Sequence, residues 1–311
     1  MSLTAILGLG QTALELALFN SLTVLALFLS YSMLNVCDLS TDGCFTLGAV
    51  VGAVTAIAGH PWLSIPAAMG AGMLSGLTTA VLQTRMGVNS LLAGIVVNTG
   101  LYSVNIWIMG GSSLLNMNKT VTVFTMLKDA LKGTPAAGLY ALIIGVIAVA
   151  LVIAFQSVFL RTKLGLAIRA TGDNPDMVRS SSINPVFTTT VGLCISNSFT
   201  ALSGCLLAQS QKSADVNIGQ GMVTVALGML LIGGVFMGRR SIPLRAVGAV
   251  IGAFVFRLVY TIALRFSLPA FMLKLISSVI VIVAISGPYL KKQFPGFRRQ
   301  LSVRFGKGGS A

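Results

Sequence analysis

Apolar stretches of about the length that crosses a bilayer follow one another along almost the whole chain. They cover roughly residues 11–34, 43–58, 62–83, 89–109, 138–160, 186–209, 222–237, 244–265 and 268–287. Only 9% of the side chains are charged, against roughly 25% in a soluble domain, so no water-facing surface can be assembled. The pattern predicts an all-α polytopic membrane protein with about nine transmembrane helices. The N-terminal run has no basic segment ahead of it and continues at full membrane length through 22–34, so no cleavable signal peptide is expected.

The charge that remains is lopsided. Arg85, then Arg161, Lys163, Arg169 and Arg179, then Arg239, Arg240 and Arg245, then Lys291, Lys292, Arg298, Arg299, Arg304 and Lys307 fall on one side of the predicted spans. Lys119, Lys128, Lys132, Lys212 and Arg265 fall on the other, with Arg257 and Lys274 inside spans. Fourteen against five places the basic C-terminal tail, 291–311, in the cytoplasm and the N-terminus outside. Trp62 and Trp107 then sit at the outer interface. A net charge of +14 reads here as contact with anionic lipid rather than with nucleic acid. Cys37, Cys44, Cys194 and Cys205 form no Cys-x-x-Cys pair and are joined by one histidine, His60. They read as small apolar filler, with no metal site.

Displacing the chain by 177 residues aligns Asp38-Leu39-Ser40 with Asp215-Val216-Asn217, and Ser64-Ile65-Pro66 with Ser241-Ile242-Pro243. A Gly-rich apolar segment of about 16 residues lies between the members of each pair. Basic residues flank the second Ser-Ile-Pro and not the first, so the two hairpins enter from opposite sides, as in an inverted-topology repeat. Sixteen residues of helix rise about 24 Å, short of the roughly 30 Å hydrocarbon core. Unwound breaks are therefore expected at 36–43 and 213–221, lining a transport pathway and offering helix N-termini to a solute. Asp38, Ser40, Asp42, Asn98, Asn197, Ser198, Asp215 and Asn217 are the candidate pathway residues. Asp38, Asp42 and Asp215 are equally suited to capping helices. Among the ionisable residues at depth, Arg257 wants an acid, and Glu15, the one glutamate, is a candidate.

A polar loop, 161–185, separates two spans. Asn174-Pro175 and Asn184-Pro185 each place a capping side chain before a proline in the first helical turn. A short helix over 175–182 is expected, with Met177 and Val178 as its apolar residues.

This loop, with Arg169-Ala170-Thr171-Gly172 ahead of the short helix, resembles the coupling loop of ABC importer permeases of the branched-chain amino acid and ribose class. Asp38-Leu39-Ser40-Thr41-Asp42-Gly43 resembles that family's early Asp-Leu-Ser-x-Gly element, with one extra residue. Ser196-Asn197, Gln209 and Asp215-Val216-Asn217 are similar to a single-gene subgroup linked to aromatic amino acids. Met237-Gly238-Arg239-Arg240 departs from the family's Gly-Glu at the second hinge. The resemblance spans about 11–290 and implies a single type II-like permease domain over 1–290 in a bacterial inner membrane. It implies a homodimer served by two copies of a separate ATPase, which holds ATP and Mg, and by an external binding protein docking on loop 110–137. Arg169, Asp173, Asn174, Pro175, Met177 and Val178 would meet the ATPase. The chain has no Gly-x-x-x-x-Gly-Lys-Ser/Thr loop and no catalytic constellation, so no enzyme activity or cofactor of its own is expected. An amino acid-like solute is favoured over a nucleoside or sugar. The competing reading is a secondary transporter driven by an ion gradient.

Overall fold

The computed structural model describes residues 3–133, 138–237, 241–265, 275, 277–283 and 286. In chain order the helices are α1 (Leu3–Leu27), α2 (Thr41–Ile57), α3 (Ser64–Thr84), α4 (Ser90–Ile108), α5 (Val123–Ala130) and α6 (Tyr140–Phe159), then α7 (Lys163–Asp173), α8 (Pro175–Ser180), α9 (Pro185–Gln211), α10 (Met222–Met237) and α11 (Ile242–Arg265). Two short strands, β1 (Leu114–Asn116) and β2 (Ser213–Asp215), pair antiparallel with Leu115 opposite Ala214. Among the described residues six helices are long and apolar enough to cross a membrane, and α2 and Met222–Val235 are shorter apolar helices. The expected span over 268–287 falls largely outside the described residues, as do Lys274, Arg239, Arg240 and the tail 291–311.

Packing exchanges partners between the two halves. The long helix α9 lies against α2 and α3, whereas α1 lies against α10 and α11. Small residues permit the close approach, since lipid offers no hydrophobic drive between helices. A Cβ on Gly48 would strike the backbone of Ala201, and one on Gly204 the backbone of Phe45. Gly233 and Gly252 do the same between α10 and α11. Phe19 and Leu25 of α1 and Phe28 just beyond it join Phe45, Phe199 and Phe256 in one apolar core that unites both halves.

Several expectations need correction. The first helix begins at Leu3 rather than 11 and ends in a π-helical turn, Phe28–Met33. The Leu34 N–H donates to the Leu29 carbonyl at 3.1 Å and the Val36 N–H to Ser30 at 2.9 Å. Gln156 Nε2 donates to the Leu25 carbonyl at 2.8 Å and Ser196 Oγ to Ala26 at 2.8 Å, so neighbouring helices serve the carbonyls just ahead of the turn. Asn35, at φ 56°, then turns the chain out of helix. The first irregular stretch is 35–40, because α2 already starts at Thr41 and takes in Asp42 and Gly43. The second is not wholly unwound, since Ser213–Asp215 is strand. The short helix of the polar loop ends at Ser180, not 182. Glu15 and Arg257 do not pair. Glu15 accepts from Gln11 at 2.9 Å, and the Arg257 guanidinium stands 5.1 Å over the Tyr260 ring.

Candidate functional site

The two aligned Asp residues make the same local turn. The Ser40 N–H donates to Asp38 Oδ1 at 2.8 Å, and the Asn217 N–H donates to Asp215 Oδ1 at 2.6 Å. Each carboxylate fixes the chain two residues on, which is what Asp does best outside helices. Their surroundings differ. Asp38 and Ser40 are buried, while Asp215 and Asn217 are exposed.

Around Asp38 a buried polar knot ties three helices. Asn197 Nδ2 donates to Asp38 Oδ2 at 2.7 Å, and Thr79 Oγ1 donates to Ser40 Oγ at 3.2 Å. Cys44 Sγ donates to the Asn197 carbonyl at 3.2 Å. Asn197 Oδ1 is buried without a partner, and Ser198 beside it is fully buried. Asp38, Ser40, Asn197 and Ser198 thus meet within the packed interior rather than along an open groove.

Asp42 does something the sequence did not disclose. It lies in the first turn of α2, yet its carboxylate reaches the start of α10, accepting from the Gly221 N–H at 2.8 Å and the Val223 N–H at 2.7 Å. The Gly219 N–H donates to Thr46 Oγ1 at 3.2 Å. An anion at a helix N-terminus satisfies its free N–H groups and its partial positive charge. The α10 N-terminus is therefore met by the protein's own carboxylate, where the sequence predicts that it is offered to a solute.

The same junction borders a cavity of about 260 Å³. Asp42, Asn98, Tyr102, Asn105, Val216 and Gln220 are among its walls. Asn105 is buried; its Nδ2 donates to the Gly43 carbonyl at 3.3 Å, and its Oδ1 has no partner. Asn98 packs so close to Gly43 that a Cβ there would lie 2.7 Å from Asn98 Oδ1. Of the sequence candidates, Asp42 and Asn98 meet here. Asn105, Tyr102 and Gln220 were missed, since only the fold brings their segments together.

At the far end of α9 from β2, the polar loop is built as its caps predict. Asn174 Oδ1 accepts from the Asp176 and Met177 N–H groups, each at 3.1 Å, and Asn184 Oδ1 accepts from Val186 at 2.9 Å. Met177 projects outward, 56% exposed, but Val178 is buried and anchors α8 to its own chain. Asp173, Asn174 and Pro175 are exposed and Arg169 half-buried. Thr171 and Thr188 hydroxyls meet at 2.8 Å, fastening α7 to α9. Gly172 sits against the backbone of Met33 and Leu34, the residues that lead into the 35–40 break.

Near β2 the loop 110–133 is fastened by Gln209. Its Oε1 accepts from the Val123 N–H at 3.2 Å, and its Nε2 donates to Ser64 Oγ at 2.7 Å. Lys132 lies 2.6 Å from Asp129, and its hydrogen bond holds that exposed carboxyl below the usual carboxylate range. All four cysteines are free thiols, and no group of metal-ligating side chains gathers among the described residues.

Residues 12–285 match the family model described as branched-chain amino acid transport system, permease component. A tyrosine transport system permease protein of Clostridioides difficile is 30% identical over 271 residues, covering 87% of this chain and 88% of the relative. An uncharacterised protein of Rickettsia prowazekii is also 30% identical, over 88% of this chain and 96% of its own. A fructose import permease protein of Bifidobacterium longum is 26% identical, over 82% and 73% respectively. No solved structure matches.

Proposed function

Because the chain belongs to the family of branched-chain amino acid transport permease components, and so is a multi-pass membrane protein, we propose that it is the transmembrane subunit of an ATP-driven importer. On this reading a separate ATPase holds ATP and Mg and hydrolyses the nucleotide, an external binding protein delivers a small polar solute, and this chain catalyses nothing. The solute class favoured is amino acid-like, in keeping with the tyrosine permease relative.

The observation that carries the proposal is the build of the polar loop. A six-residue helix, capped by Asn174 and pinned by Val178, presents exposed Met177. Its companion α7 rests through Gly172 on Met33 and Leu34, one step from the Asp38 knot. A partner pushing on α8 would therefore act on the break in the first half. One such helix among the described residues favours two copies of the chain served by two ATPases. On this reading the loop and the C-terminus face the cytoplasm and the protein lies in a bacterial inner membrane, and the basic bias along the sequence supports that orientation.

Nine spans and an inverted repeat complete the proposal. In their support, the α2–α3 and α10–α11 hairpins fall at corresponding positions, Asp38 and Asp215 make the same turn, and each long helix packs on the other half's hairpin. The test is reconstitution in proteoliposomes with a candidate ATPase and binding protein drawn from neighbouring genes. Uptake of radiolabelled amino acids that needs all three proteins and ATP is expected. Uptake by this chain alone, driven by a sodium or proton gradient, would replace the proposal with a secondary transporter.

A further inference from the structure

We propose that the cavity between α2, α4 and the loop ahead of α10 binds an ammonium-bearing solute of α-amino acid size, with Asp42 as its counter-ion. The inference rests on the permease reading and adds the place where the solute is held and the atoms that hold it.

Size comes first. A cavity of about 260 Å³ lies just below the range of drug-sized ligand pockets, roughly 300–1,000 Å³, and suits one small solute. Charge comes second. Among the described residues Asp42 is the one carboxyl side chain in the lining, and no Lys, Arg or His borders it, so an anion would meet no cation to receive it.

The pattern of spare acceptors points the same way. The Asp42 oxygens take the Gly221 and Val223 N–H groups, with the Met222 N–H also directed at them, and a carboxylate has about four lone-pair sites. Room remains for about one further donor. Asn105, with 1% of its surface exposed, spends its amide N–H on Gly43 and leaves Oδ1 unpaired. Buried polar atoms are normally satisfied, and one without a partner in a cavity wall calls for a donor from the occupant. An ammonium group brings three donors and a positive charge to these acceptors. The Asn98 amide and the Tyr102 hydroxyl, also in the wall, can donate to the solute's opposite, carboxylate end. Tyr102 and Thr99 are exposed on the same apolar helix, which leaves a polar mouth to the cavity.

The experiment uses the full-length permease in lipid nanodiscs and calorimetric binding of the proteinogenic L-amino acids offered singly. D-glucose and the desamino analogue of the tightest-binding amino acid are the comparison probes. At least one amino acid should bind saturably, with the desamino analogue and glucose weaker by more than roughly tenfold. Asp42→Asn, which still offers an acceptor to α10, should weaken amino acid binding by a similar factor and leave the desamino analogue unchanged. Asn105→Leu should weaken it too, and it carries the test with the analogue comparison if Asp42→Asn is not monodisperse. Absence of saturable amino acid binding, equal binding of the desamino analogue or glucose, or full affinity in folded variants would each overturn the site. If those failures accompany normal ATP-dependent uptake, the cavity assignment falls and the importer reading stands. Gradient-driven uptake by the chain alone removes the importer reading whatever the cavity binds.

Discussion

Asn197 donates to the Asp38 carboxylate at 2.7 Å, joining the middle of α9 to the break before α2 across 159 residues of sequence. Asn197 also lies under Gly72 of α3, whose missing side chain admits the Asn197 carbonyl. One asparagine thus fixes where two hairpin helices and the break meet.

Asp38→Ala should lower thermal stability in detergent by an amount equivalent to about 1.5–3 kcal/mol, because the Asn197 amide and the Ser40 N–H lose a charged acceptor. Asn197→Ala should cost about as much. The double variant should fall short of the sum by roughly 0.5–3 kcal/mol, as for residues sharing one bond. Strict additivity in unfolding scans of the four proteins would show that the pair does not act together.

Gly48→Val and Gly204→Val should collapse the yield of monodisperse protein, as each new side chain meets backbone of the neighbouring helix. Gly70→Ala, with no atom within 4 Å of the added carbon, should leave yield and melting temperature unchanged or raise the latter slightly. Size-exclusion profiles after membrane extraction distinguish the three.

Met177→Asp should leave the protein folded yet abolish most ATP-dependent uptake, since a carboxylate would enter the partner's apolar contact. Val178→Asp should instead damage this chain, because Val178 is only 1% exposed. The two neighbours therefore separate loss of coupling from loss of fold. Equal melting temperatures for both variants would remove the distinction.

Single cysteines at Ser40 and Asn217, with Cys37, Cys44, Cys194 and Cys205 replaced, should react very differently with a small water-soluble thiol reagent. Asn217 is exposed and should label at once, whereas Ser40 has no exposed surface and should be protected in the resting protein. Labelling at Ser40 should rise during ATP turnover if the break opens towards the solute route. Mass spectrometry of the time course checks both positions.

Local chemistry was readable in the residues. Asn174 and Asn184 cap the helices their Asn-Pro pairs announce, and Asp38 and Asp215 make matching turns because an Asp reaches its own backbone two residues on. The cap that Asp42 supplies was not readable, since its partners stand 179 and 181 positions away and carry no side-chain signature for it. Gln209 is a similar case, bonding Val123 and Ser64 from a helix rich in apolar and small side chains. The β1–β2 pair also escaped, as three-residue strands have too little periodicity to detect. Val178 looked like Met177's equal because burial on a six-residue helix depends on what lies beneath it.

The π-helical turn at Phe28–Met33 gives α1 slack. Its bonds reach five residues back or more where an ordinary helix reaches four, so the turn stores a surplus residue at the end nearest the polar loop. One residue corresponds to about 100° of rotation and 1.5 Å of travel. Passing that surplus along the helix would swing Leu34 and the Asp38 break like a key on its shaft. Gln156 and Ser196 already hold the Leu25 and Ala26 carbonyls, so those two would keep a partner if the register moved.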